Sequence, residues 1–169
     1  MKKSLVLTGM MGVGKTTIGS LLSNHIGIKF IDMDTQIEKK LSLSINDIFK
    51  TKGEKYFREI EEKETIECLK NQNLIIALGG GAFLNEKIRD NIKKICISVW
   101  LDLDPKRIFN RTKANNKRPL LGNIKTDKEL NDIYKLRKKV YSLADYRIDC
   151  NSKTKDEIIV EIAKIYENN

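Results

Sequence analysis

No apolar stretch in the 169 residues approaches the roughly 18 that a bilayer-spanning helix needs, and no internal repeat or low-complexity tract interrupts the chain. A membrane partner and a fibrous or repeat architecture are therefore not expected. Cysteine is sparse and badly placed for pairing. Cys68, Cys96 and Cys150 are odd in number, far apart and never in a Cys-x-x-Cys pair, which speaks against a disulfide framework and against a zinc site. The only histidine, His25, falls at the end of the first helical segment, where a helix-dipole contact or plain solvation accounts for it. Seven arginines stand among 32 basic residues, so each arginine in this lysine-rich chain is informative.

The net charge of +9 raises the question of nucleic acid, but the signatures of nucleic-acid binding are missing. There is no basic stripe interleaved with aromatics, no zinc-finger spacing and no RNA-recognition motif. Lysines such as Lys39, Lys40, Lys138 and Lys139 mostly lie near Glu and Asp on helical segments, as on a solvated surface. No nucleic-acid partner is expected, and a positive field serves equally well to draw in small polyanions. An apolar content of 40% and a charged content of 33% describe a globular protein. Length predicts one domain over 1–169, acting as a monomer. The first apolar run begins at Leu5, so no targeting segment is expected and the expected location is cytoplasmic.

What is present begins directly behind that run. Gly9-Met10-Met11-Gly12-Val13-Gly14-Lys15-Thr16-Thr17 follows Leu5-Val6-Leu7 and precedes the helical spacing Ile18, Leu21, Leu22, Ile26. This is a Gly-x4-Gly-Lys-Thr phosphate loop in its mechanical setting: a buried strand ends, backbone N–H groups turn inward, and a helix starts with its positive end toward the same anion. A nucleoside triphosphate is the ligand it predicts. Gly12, Val13, Gly14 and Thr17 would contribute to the cradle, Lys15 would reach the β and γ phosphates, and Thr16 would hold magnesium.

Apolar runs near 5–8, 29–32, 74–78, 95–101 and 147–149 alternate with helical patterns near 15–26, 35–41, 45–51, 53–70, 86–92, 105–112, 127–144 and 155–167. That alternation predicts an α/β fold with a five-stranded parallel sheet flanked by helices, its ligands at the carboxyl edge. Asp104-Pro105 marks one helix start. The polar stretch at about 112–124, carrying Arg118-Pro119 and Gly122, reads as a mobile lid over the nucleotide.

A second set of strand ends carries chemistry for an acceptor. Asp32-Met33-Asp34 closes the second strand, where alternation would send both carboxylates to one side, Asp32 toward magnesium and Asp34 toward a hydroxyl. Capping of the next helix is the plainer use of the same residues. Gly79-Gly80-Gly81 closes the third strand and would let a substrate lie on bare backbone, or would simply form a turn. Arg58 and Glu61 share a helix face, as an ordinary exposed ion pair also would. Arg118 in the lid candidate, Arg137 behind it and Arg111 before it complete the arginines of interest; several converging would point to an acidic substrate.

Taken in order, these elements closely resemble the shikimate kinase family over nearly the whole chain. The resemblance rests on Gly9 to Thr16, Asp32-x-Asp34, Ser44-Ile45 with Ile48-Phe49, Gly53-Glu54, Phe57-Arg58-x-x-Glu61, Ala77-Leu78-Gly79-Gly80-Gly81, Arg111-Thr112, Arg118-Pro119-Leu120-Leu121 and Arg137-x-x-x-Tyr141. It implies ATP-dependent phosphorylation of the 3-hydroxyl of shikimate in aromatic amino-acid biosynthesis. It also implies that Arg58, Gly80 and Arg137 bind shikimate, that Asp34 binds ring hydroxyls and acts as base, and that Glu61 braces Arg58. Arg118 would close on the phosphates and Arg111 would meet the nucleotide near adenine. Where many members carry Arg-x-Pro-x-Tyr, this chain has Lys139 in place of the proline.

Overall fold

Parallel strands covered on both faces are written as unbroken apolar runs, and the inner strands here are such runs. In the computed structural model, which describes residues 2–113 and 126–169, β1 (Ser4–Thr8), β3 (Leu74–Ala77) and β4 (Cys96–Asp102) are buried at every position. The edges β2 (Lys29–Asp32) and β5 (Tyr146–Asp149) are partly exposed. All neighbouring strands are parallel, in the order β2-β3-β1-β4-β5. β1 therefore sits between β3 and β4, with Leu7 opposite Ala77 and Thr8 opposite Trp100. The loops that follow β1 and β3 emerge side by side at the carboxyl edge.

Helices α1 (Lys15–Ile26), α2 (Met33–Leu41), α3 (Ile45–Leu69), α4 (Glu86–Ile95), α5 (Pro105–Lys113), α6 (Asp127–Tyr141) and α7 (Lys155–Glu167) connect and cover the strands. Their starts follow from local chemistry. Asp32, Ser44, Asn85, Thr126 and Thr154 each accept the backbone N–H three residues on, a cap worth about 1 kcal/mol apiece. Asp104 accepts from Lys106 N (2.8 Å) ahead of Pro105, as the Asp-Pro pair predicts.

Two features depart from the sequence reading. The helices predicted at 45–51 and 53–70 form one run broken at Gly53, whose φ of 82° and ψ of 168° lie where a side chain would be strained. The bend lets α2 and the first half of α3 close on a small core of their own, Ile37, Ile45, Ile48 and Phe57, with the Phe49 and Phe57 rings 4.9 Å apart. The second departure is at β2, which ends at Asp32; Met33 already begins α2. Asp34 is thus in the first turn of a helix and not on a strand, because Asp32 is both the last residue paired with β3 and the cap of the helix.

All three cysteines are buried and free. Among the described residues, no helix is long and apolar enough to cross a membrane.

Candidate active site

The phosphate loop is shaped by backbone that few residues tolerate. Gly9 has a φ of 137°, and a Cβ there would stand 2.5 Å from the Leu101 carbonyl oxygen, so any side chain would push the loop off β4. Gly14 precedes the first turn of α1 with left-handed backbone and no capping side chain, leaving the helix N-terminus open to an anion. Lys15 is buried, and its Nζ donates to the carbonyls of Gly9 (2.8 Å) and Met10 (3.0 Å) inside the loop. Thr16 and Thr17 are exposed at the helix start.

Thr16 Oγ1 donates to Asp32 Oδ2 at 2.6 Å, while Asp32 Oδ1 accepts from Thr35 N at 3.2 Å. The capping use weighed for Asp32 is present through one oxygen, and the other oxygen meets the phosphate-loop threonine. A hydroxyl and a carboxylate side by side are hard oxygen donors of the kind that suit a magnesium ion completed by water and phosphate. Among the described residues no group of three or more His, Cys, Asp or Glu gathers as a metal cluster.

The acceptor-side candidates meet in one pocket. Asp34, Arg58, Glu61, Gly79, Gly80, Gly81 and Arg137 line it together with Met11, Ile45, Phe49 and Phe57. Gly79 is wedged between two carboxylates, since a Cβ on it would lie 2.6 Å from Asp34 Oδ1 and 2.7 Å from Glu61 Oε1. Gly81 approaches Arg58 in the same way, with Nη1 2.6 Å from where its Cβ would be. The Gly80 carbonyl accepts from Tyr141 Oη (2.6 Å) and from Arg137 Nη1 (3.2 Å). On its other side Gly80 abuts Met11 of the phosphate loop, whose backbone N would be 3.2 Å from a Cβ at Gly80.

Charge in the pocket is arranged against solvation. Arg58 donates from Nη1 to Glu61 Oε2 (2.7 Å) and from Nε and Nη2 to Glu54 Oε1 (3.3 and 3.2 Å). This is not the exposed pair that helix spacing alone suggests, because the Glu61 side chain is only 3% exposed. Burial pushes the Glu61 carboxyl up despite the Arg58 guanidinium beside it. Its second oxygen, Oε1, has no hydrogen-bond partner among the described residues. Asp34 is pushed up to about 6, first by burial and then by the Asp32 carboxylate, with Lys15 pulling it down and Glu61 and Glu38 adding to the rise. A carboxylate poised near 6 in a pocket next to a phosphate loop is matched to taking a proton from a hydroxyl at neutral pH.

Arg111 is exposed in the last turn of α5. Arg118, and the proposed lid apart from its first two positions, lie outside the described residues. Four lining residues were not anticipated as site residues: Met11 occupies a variable position of the loop motif, and Ile45, Phe49 and Phe57 have the helical spacing of ordinary core. Tyr141 stood in the motif without a role, and its hydroxyl contact with Gly80 was legible only in three dimensions.

A five-stranded parallel sheet with a phosphate loop after its central strand, and a charged pocket against that loop, defines a P-loop phosphotransferase acting on a small molecule. The shikimate kinase family model matches residues 11–167. Shikimate kinase from Clostridium botulinum is 39% identical over 169 residues, covering all of both chains, and that from Persephonella marina is 38% identical over 160 residues, covering 95% of this chain and 96% of the other. The structure of shikimate kinase from Acinetobacter baumannii in complex with shikimate superimposes with a TM-score of 0.90 at 31% identity, covering 100% of this chain and 95% of that one. The chain belongs to the shikimate kinase family.

The Gly79 contacts make a direct prediction. Gly79→Ala places a methyl group against both carboxylates, and overpacking of this kind costs about 1–3 kcal/mol. We expect the KM of the acceptor to rise about 5- to 100-fold with the KM of ATP unchanged. Steady-state kinetics with each substrate varied in turn check this; an equal rise in both would place the fault in the phosphate loop.

Proposed function

We propose that this chain transfers the γ-phosphoryl group of ATP to the 3-hydroxyl of shikimate, giving shikimate 3-phosphate and ADP in aromatic amino-acid biosynthesis, as a cytoplasmic, monomeric single-domain enzyme. The observation that carries the reading is the convergence of Arg58, Arg137 and Asp34 on one pocket whose glycine wall touches the phosphate loop. Two guanidinium groups in a small pocket suit a carboxylate, which each can bind through parallel charge-assisted bonds. The Asp34 carboxylate in the same pocket suits the hydroxyls of the same ring.

In the reaction the acceptor oxygen bonds to the γ-phosphorus, the bond to the β–γ bridging oxygen breaks, and the hydroxyl proton passes to Asp34. Phosphoryl transfer asks the protein mainly for alignment and charge neutralisation. Lys15 would leave the Gly9 and Met10 carbonyls for the β and γ phosphates, and the backbone from Gly12 to Thr17 would cradle them. Arg118 would close from the lid and Arg111 would contact the nucleotide. Thr16 and Asp32 would hold Mg2+, which when bound neutralises phosphate charge. Glu61 holds the Arg58 fork in place, and Gly79, Gly80 and Gly81 admit the ring to the backbone. Closure of the lid would exclude water as a competing acceptor.

The test is ADP release by the purified protein with ATP and magnesium, comparing shikimate, gluconate, nucleoside monophosphates and no acceptor. Stimulation by shikimate alone, with turnover of about 1 to 100 per second, is expected. Stimulation by gluconate or a nucleoside monophosphate instead would overturn the assignment of acceptor, and so would ADP release indifferent to all of them.

A further inference from the structure

Helix α6 brings Arg137 to the pocket, and it is held at two points that bracket that arginine. Tyr134, Arg137 and Tyr141 are three and seven residues apart and share a helix face. Against that face β4 presents Trp100 and Asp102, alternate residues of one strand and so on one side of the sheet. Tyr141 packs on Trp100 with ring centroids 6.1 Å apart and donates to the Gly80 carbonyl. Two turns earlier, Tyr134 Oη donates to Asp102 Oδ1 at 2.8 Å. Asp102 is 3% exposed, and its other oxygen accepts from Arg147 Nε (2.9 Å) and Nη2 (2.7 Å). Arg147 in turn lies over the Trp100 ring at 5.3 Å.

A carboxyl group so deeply buried is kept only where directional partners satisfy it, and those partners then have little freedom to move. Apolar packing of a helix on a sheet resists separation but tolerates sliding. A hydrogen bond to a fixed buried oxygen does not. A slip of α6 by one turn would carry the Arg137 guanidinium about 5.4 Å along the helix axis, clear of Gly80. Helix α6 also runs unbroken through Lys139, so the position of Tyr134 is passed rigidly to Arg137 and Tyr141.

We propose that Tyr134 and Asp102 are positioning residues for the acceptor site: their hydrogen bond fixes the axial register of α6 and thereby the presentation of Arg137 at Gly80. The proposal rests on the functional reading above for the identity of the ligand, but its mechanical part does not.

The experiment uses Tyr134→Phe, which keeps the ring and its packing and removes only the hydroxyl. Shikimate and ADP binding are measured by calorimetry on the wild type and the variant. We expect shikimate affinity to fall about fivefold or more, since small misplacements of a binding group are costly, with ADP affinity within about twofold. Unchanged shikimate affinity, or an equal loss for both ligands, overturns the proposal. A ligand-free arm follows thermal unfolding of Tyr134→Phe, Arg137→Ala and the double variant. Coupling through register predicts a combined shift in Tm smaller than the sum of the two, and strict additivity overturns it. A wild type that binds no shikimate while the Tm shifts are coupled would sink the functional reading and leave the positioning role standing.

Discussion

Asp34→Asn is expected to abolish turnover while making the protein more heat-stable at pH 8. Loss of a general base costs typically 10²- to 10⁴-fold in rate, and Asp34 lines the acceptor pocket and reaches Lys15 only through charge, so ATP affinity should change far less than turnover. The stability effect has the opposite sign. The Asp34 pKa rises from the ordinary 3.8 to about 6 on folding. A group raised in the folded state contributes its full stability below the unfolded pKa and loses it as pH rises through the folded one. Above pH 6 the folded protein therefore carries a buried ionised carboxylate at a penalty on the order of 3 kcal/mol at most. Asparagine removes that penalty at pH 8 and changes little at pH 4. Melting curves of both proteins at the two pH values should show a gain of several degrees at pH 8 only. A variant less stable than wild type at pH 8 would show that the carboxylate stabilises the fold and is not strained in its site. In the wild type, kcat/KM for shikimate should fall about tenfold per pH unit below roughly pH 6, as Asp34 takes up its proton.

The second large effect is expected at Arg58. Among the described residues, Arg58→Ala takes from Glu61 the one hydrogen-bond donor to its side chain, and the other carboxylate oxygen has no partner. Removing one member of a fully buried pair costs about 3–5 kcal/mol, and because Arg58 is itself 38% exposed we expect roughly 2–3. The damage depends on pH. Burial already raises the Glu61 pKa, and without the guanidinium it rises further, so the loss of stability is large at pH 8 and shrinks as pH falls and Glu61 protonates. In the assay the KM of shikimate should rise on the order of 100-fold or more through loss of a charge-assisted fork, with the KM of ATP little changed. Denaturation at pH 5 and pH 8, run beside the kinetics, separates the two consequences. A destabilisation equal at both pH values would mean that Glu61 is not the group left stranded.

The five strands and most helices were legible because inner parallel strands and amphipathic helices carry different periods, and because caps such as Asp104 and Thr154 are local chemistry. The strand order was not. The runs at Leu74–Ala77 and Ser4–Thr8 look alike as strings, and nothing in either says that β3 lies between β2 and β1. Asp32 and Asp34 were read as two teeth of one strand, whereas the helix starts between them; boundaries of one or two residues decide such geometry and are weakly written. Helix spacing paired Arg58 and Glu61 but left an exposed ion pair open beside a role in the site, since a helix pattern shows which residues share a face and not what covers it. Tyr134, Asp102 and Arg147 gave no signal at all, being ordinary residues until β4, β5 and α6 are laid together.

The adjacency of β1 and β3 acts as a ruler for the reaction. Hydrogen-bonded strands lie about 4.8 Å apart whatever their side chains, and the loop that would grip the donor leaves one of this pair while the loop that would meet the acceptor leaves the other. The gap between donor and acceptor is thereby set by the backbone. Substitutions in α2, in α3 or at Gly79 to Gly81 can change which molecule is admitted without altering that spacing, so a new acceptor could be recruited to this scaffold with the donor half left as it stands.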